Sequence, residues 1–241
     1  MSTKVLLLLI AIFTTINSSA QKLEKFFIDA DEFFKKWVVE GNINYSKLQS
    51  HYDEIENLHI QISNANLSDA TEEEKKAFYI NTYNILVIQQ ITKHYPIKSA
   101  LDQSGFFDKF NHKVAGEMMS LDRLEKKNLI LKYKDPRIHF ALGCAAISCP
   151  KLANFAYSPE TIEHQLNNNT RKSLNDSNII SVDHTHRKLA ISKIFDWYHS
   201  DFGNTKKGVL NFINQYRDKK IPESFLLEFQ EYNWELNPYS N

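Results

Sequence analysis

Between Thr71 and Tyr95 the chain reads TEEEKKAFYINTYNILVIQQITKHY. Thr71 and Glu74 have capping-box spacing, and acidic residues fill the first turn, where the helix dipole favours them. Pro96 closes the run. From Ala77 onward, apolar side chains fall on nearly every face. Such a helix has to be covered all round, so the rest of the chain must wrap it. Asn81 and Asn84 interrupt the apolar surface on one face. Burying two amides is costly unless both are hydrogen-bonded. Either they tie the helix to nearby backbone, or they orient a reactive group or hold a ligand.

The second informative stretch is DPRIHFALGCAAISCPKL, Asp135–Leu152. It holds His139 and both cysteines of the chain, Cys144 and Cys149. Ile138, Phe140, Leu142 and Cys144 alternate with His139 and small residues, which predicts a strand over Ile138–Cys144. Asp135-Pro136 reads as a turn. Cys149-Pro150 reads as a helix start or a sharp turn; at a helix start, unpaired N–H groups and the dipole would favour a thiolate. Three readings of the pair stay open: a Cys144–Cys149 disulfide, which suits an exported chain, a reactive thiol, or two inert buried thiols.

The first residues, MSTKVLLLLIAIFTTINSSA, have the pattern of a signal peptide covering residues 1–20. Lys4 precedes an apolar run from Val5 to Phe13, and small residues precede Gln21. The run is too short to span a bilayer, and no second long apolar segment follows. Export to a periplasm or the medium is therefore expected, with residues 21–241 forming one domain and no transmembrane segment. Gly and Pro number only 6 each, so no flexible linker divides the chain. Lys+Arg and Asp+Glu balance at 29 each, which leaves no global field to attract nucleic acid. No cofactor motif and no metal-ligand spacing is present.

Other elements follow from local pattern. Leu23–Glu40 carries an aromatic stripe at helical spacing, stopped by Gly41; Ile43–Tyr45 reads as a short strand and Ser46–Leu58 as a weaker helix. Phe106–Ser120 reads as two strands turning at Ala115-Gly116, with Ser120 capping a helix, Leu121–Leu131, that carries Asp122 and Glu125. A helix follows Ser158-Pro159-Glu160. Asn178–Val182 and Lys188–Ser192 read as a hairpin, Phe195–Phe202 as a short helix, Gly208–Tyr216 as an amphipathic helix and Phe229–Asn237 as a last strand. The fold class is α+β: a buried central helix on a small, mostly antiparallel sheet that includes Ile138–Cys144, surrounded by further helices.

Taken in order, AFYINTYNIL, SLDRLE, DPRIHFALGCAAISCPKL, FDWYHSDFG and YNWELN resemble the domain of unknown function 547 family. The resemblance implies an exported α+β domain and no settled activity. Its pattern falls on Asn81, Tyr83, Asn84, Glu125, His139, Cys144, Cys149 and Trp197. The chain departs from it after Glu125, with Lys126, Lys127 and Ile130 where a histidine, a glycine and an arginine are expected.

Two functional readings follow. In the first, Cys149 is the nucleophile of a hydrolase or transferase, His139 its base, and Asn81, Asn84 or Glu125 the group that orients the base. In the second, the chain is a non-catalytic binding or scaffold module with a structural Cys144–Cys149 bridge and an aromatic groove near Trp197 and Tyr198. The partner in either case is a small molecule, a peptide or a protein. A metal site from His139, Glu125 and a cysteine would lack any standard ligand spacing.

Overall fold

The computed structural model describes residues 21–239, so the segment read as an export signal lies outside the described residues. The fold is α+β. Helix α1 spans 21–37 and buries Phe26, Ala30, Phe33, Phe34 and Trp37. It ends earlier than the sequence pattern suggests. Val38–Val39 (β1) turns back through Glu40 and Gly41 onto Asn42–Ile43 (β2). Both turn residues have positive φ, 52° and 83°, as a tight two-residue hairpin requires. Gly41 is thus a hairpin residue and not a helix stop. The helix expected over Ser46–Leu58 is two helices, Tyr45–Gln49 (α2) and Tyr52–Asn64 (α3).

Helix α4, Glu72–His94, forms as its sequence dictates. Glu74 N–H donates to Thr71 Oγ1 at 3.1 Å, and Thr71 N–H donates to Glu74 Oε2 at 2.7 Å. Ala77, Phe78, Ile80, Ile85 and Ile91 are fully buried. Each large apolar side chain buried this way contributes roughly 1.5–3 kcal/mol. The cover comes mostly from helices: α2, α3 and the helical segment Leu121–Tyr133. The hairpin Asn111–Val114 (β3) and Glu117–Ser120 (β4) adds a side-chain tie, His112 Nε2 to Gln90 Oε1 at 2.8 Å.

Ser120 caps the segment Leu121–Tyr133, accepting from Arg123 N–H at 3.2 Å. The segment is α-helical at Leu121–Arg123 (α5) and Leu131–Tyr133 (α6), and between them Leu124–Ile130 is a π-helix that carries Glu125. Single π turns of this kind recur at functional sites.

A second apolar cluster lies in the C-terminal part. Ile180–Asp183 (β5) pairs antiparallel with Lys188–Ile191 (β6), the hairpin expected from sequence. Leu226–Phe229 (β7) joins β6 in parallel. Ile162–Leu174 (α7), Ile194–Trp197 (α8) and Lys206–Tyr216 (α9) complete the region.

The predicted strand over Ile138–Cys144 does not form, and none of the three small sheets among the described residues contains it. Asp135 caps and Pro136 opens a 3₁₀ helix, Pro136–Phe140. With three residues per turn, successive side chains point in three directions rather than two. Ile138 and Ala141 enter the cluster around α4, whereas Phe140 enters the C-terminal cluster. His139 is left between them. The apparent period of two arose because both Ile138 and Phe140 are buried, in different cores.

Candidate functional site

The loop after this 3₁₀ helix carries both cysteines, and side chains of α4 hold it and its continuation. Asn84 Nδ2 donates to Ala141 O at 2.9 Å, and Gly143 N–H donates to Asn84 Oδ1 at 2.8 Å. One turn earlier, Asn81 makes the same two-way bond to the backbone of Tyr157, both at 2.8 Å. The two asparagines therefore pin the ends of the segment that contains the cysteines. Their amides are spent on backbone and do not orient His139.

No helix follows Cys149-Pro150, and residues 151–157 are irregular. The thiolate-favouring helix end expected there is absent. Cys144 and Cys149 are free thiols, so the disulfide reading is corrected. The loop closes tightly without a bridge: Cys144 N–H donates to Cys149 Sγ at 2.9 Å, and Cys149 N–H to Ala146 O at 3.1 Å. Cys149 is buried, whereas Cys144 is partly accessible. Burial pushes the Cys144 thiol up. Hydrogen bonds from the Cys149 thiol, the Tyr232 hydroxyl and the Ala146 N–H outweigh it, and the net direction is down. Burial and then the neighbouring Cys144 push the Cys149 thiol well up. The acidified sulfur thus belongs to Cys144, the less buried residue of the two.

The stretch Tyr232–Leu236, read from its alternation as part of a last strand, forms no sheet strand; the strand there is β7, Leu226–Phe229. Tyr232–Leu236 lies along the cysteine loop. Ile147 N–H donates to Glu235 O at 2.9 Å, Ser148 N–H to Asn233 O at 3.2 Å, and Ala146 bridges antiparallel to Leu236. This brings the Tyr232 hydroxyl to 3.1 Å from Cys144 Sγ.

His139 has a side chain only 2% exposed. Its Nε2 lies 2.8 Å from Asp201 Oδ2, on the 3₁₀ helix His199–Phe202. A carboxylate only accepts, so Nε2 carries the proton and Nδ1 is the basic nitrogen of the neutral ring. Burial pulls the His139 pKa down, against the Asp201 carboxylate, which raises it; the net direction is down. Tyr198 covers the ring at 4.1 Å between centroids. The Tyr198 hydroxyl donates to Glu125 Oε1 at 2.6 Å. Gly203, at φ 93°, ends the turn that holds Asp201, and a Cβ there would come within 3.1 Å of Gly208 Cα.

These groups share one cavity of about 300 Å³. Cys144, Cys149, His139, Glu125 and Tyr83 line it, and Trp197, Tyr232 and Trp234 form an aromatic wall. Of the residues singled out from sequence, His139, Cys144, Cys149 and Glu125 come together here; Asn81 and Asn84 do not line it. Sequence reasoning missed Asp201 as the partner of His139, although it sits inside FDWYHSDFG. It also read Tyr232 and Trp234 as strand residues only. Among the described residues, no group of three or more His, Cys, Asp or Glu is placed to hold a metal ion. No helix among them is long and apolar enough to cross a membrane.

No curated protein and no solved structure matches the chain. One family model does match, over residues 67–174, a span that includes α4, Glu125, His139 and both cysteines but stops short of Tyr198, Asp201, Tyr232 and Trp234. Its description is "Protein of unknown function, DUF547", and over that span the chain is similar to this family.

Proposed function

We propose that the chain is a thiol-dependent hydrolase or transferase with Cys144 as nucleophile and His139 as general base. The observation that carries this reading is the shared cavity: a cavity-lining thiol with depressed pKa and a carboxylate-held imidazole line the same space. Thiol, imidazole and orienting carboxylate are the three parts nucleophilic catalysis needs. The Cys144 proton passes to His139, the thiolate attacks an electrophilic carbon, and the leaving group departs with that proton. Water or a second nucleophile then gives a proton back to His139 and releases the sulfur. Cys149 takes the part of a hydrogen-bond donor to the thiolate and not of the attacking atom. Asn84 and Asp201 are positioning residues.

The test is timed alkylation of the native protein with iodoacetamide near neutral pH, mapped by mass spectrometry. Rapid modification of Cys144 ahead of Cys149, slowed in His139→Ala, is the expected result. Modification of neither thiol until the protein is unfolded would overturn the reading.

The alternative reading is a non-catalytic binding module. The observation in its favour is the aromatic wall at the cavity, where Trp197 is 47% exposed. Export belongs to the same proposal and rests on the pattern of residues 1–20 alone; N-terminal sequencing of the protein from its native source, with Gln21 as the expected first residue, tests it.

A further inference from the structure

We propose that the cavity selects a substrate carrying an alkylammonium group, of the kind that ends a lysine side chain. The inference concerns the ligand of the site just described and rests on that reading for its catalytic consequence only. Three observations carry it. The first is the sign of the charged lining. Asp122 and Glu125 face the cavity, and no lysine or arginine lines it. Asp122 is answered from outside the lining by Lys126 at 2.6 Å. Glu125 makes no ion pair among the described residues; its hydrogen bond comes from the neutral Tyr198 hydroxyl, and Lys126, paired to Asp122, feels its charge only at longer range. A part-buried carboxylate without a direct ion pair holds a standing attraction for a cation, and repels a carboxylate or phosphate ligand.

The second observation is the aromatic wall. Trp197, Tyr232 and Trp234 form a triangle with centroid separations of 4.8, 5.8 and 4.7 Å. Ring faces carry negative electrostatic potential, and walls of this composition are a recurring solution for binding ammonium groups. The third is size. A cavity of about 300 Å³ takes an extended aliphatic amine. The field of Glu125 also reaches its neighbours. After burial, it is the next cause raising the pKa of Tyr83 and Tyr198, and it works against the Cys144 thiolate. A bound cation would cancel that opposition, so the substrate itself would favour the reactive form of the nucleophile.

The experiment uses the full chain and two methanethiosulfonate reagents of similar size, one bearing trimethylammonium and one bearing sulfonate. Their modification rates at Cys144 are each divided by the rate with a free small thiol. The expected result is a normalised preference for the cation of tenfold or more. Glu125→Gln, which keeps an acceptor for Tyr198, should abolish most of it. Equal normalised rates, or a preference for the sulfonate, would overturn the inference. Calorimetry of choline with Cys144→Ser separates the two proposals, since this variant keeps the carboxylate and the rings. Choline bound by Cys144→Ser and lost with an added Glu125→Gln or Trp234→Ala supports the charge selection even if Cys144 proves unreactive. Absence of choline binding, with Cys144 still rapidly alkylated, defeats the charge selection and leaves the thiol reading standing.

Discussion

His139 Nε2 and Asp201 Oδ2 lie 2.8 Å apart although the two residues are 62 positions apart in the chain. The pair joins the family-matched segment to the region after it and fixes the tautomer of the imidazole. Asp201→Asn removes the charge that holds the His139 pKa up, so that pKa should fall further. Alkylation of Cys144 near neutral pH should slow by roughly tenfold, the loss of about 1.4 kcal/mol of charge-assisted orientation. NMR titration of the ring protons and the alkylation time course check the two parts separately.

Asn84 satisfies two backbone groups of the cysteine loop at once. Asn84→Ala leaves a buried carbonyl and a part-buried N–H unpaired, at about 1–3 kcal/mol each. A stability loss of about 2–4 kcal/mol by denaturant titration is expected. The loop should also loosen, so Cys149, now sheltered, should become open to alkylation in the folded protein.

Tyr232 and Cys149 both donate toward the Cys144 sulfur. Removing a donor to a thiolate destabilises the charged form, so Tyr232→Phe and Cys149→Ala should each raise the Cys144 pKa. Thiolate absorbance followed against pH would show the midpoint moving upward in both variants. A downward movement in Cys149→Ala would mean that burial, and not hydrogen bonding, governs the site.

His112 supplies an acid-sensitive point away from the cavity. Burial, with His59 and Lys93 nearby, lowers its pKa from 6.5 to about 4. The unfolded chain therefore binds a proton that the folded chain resists. The stability tied to this group is complete above about pH 6.5 and is lost as pH falls toward 4, on the order of 3 kcal/mol in all. His112→Asn should flatten that limb of a stability–pH curve.

Local signals were readable wherever a residue's partner lies nearby in sequence. The Thr71–Glu74 capping box, the Ser120 cap and the β5–β6 hairpin all follow from short-range chemistry. The buried α4 was legible from its all-round apolar surface. The 3₁₀ helix was not, because Ile138 and Phe140 each meet a different core and mimic a strand's alternation. The π turn at Glu125 has no local signature in the sequence. Of the site, His139, the cysteines and Glu125 stood out by residue type. Asp201, Tyr232 and Trp234 did not, since only the fold brings them across to the cysteine loop.

That crossing has a practical consequence. Residue 174, where the family match ends, coincides with the last residue of α7 and looks like a natural place to cut the chain. A fragment ending there would keep Cys144 and His139, the proposed nucleophile and base, yet discard Asp201, the Tyr232 hydroxyl on the sulfur and the aromatic wall. Its exposed sulfur would invite oxidation and intermolecular cross-linking, and an assay on it would not test the proposed function. A chain carried through at least Asn237, whose N–H still bonds to Ala145 O at 3.0 Å, is the shortest piece on which a negative activity screen carries meaning.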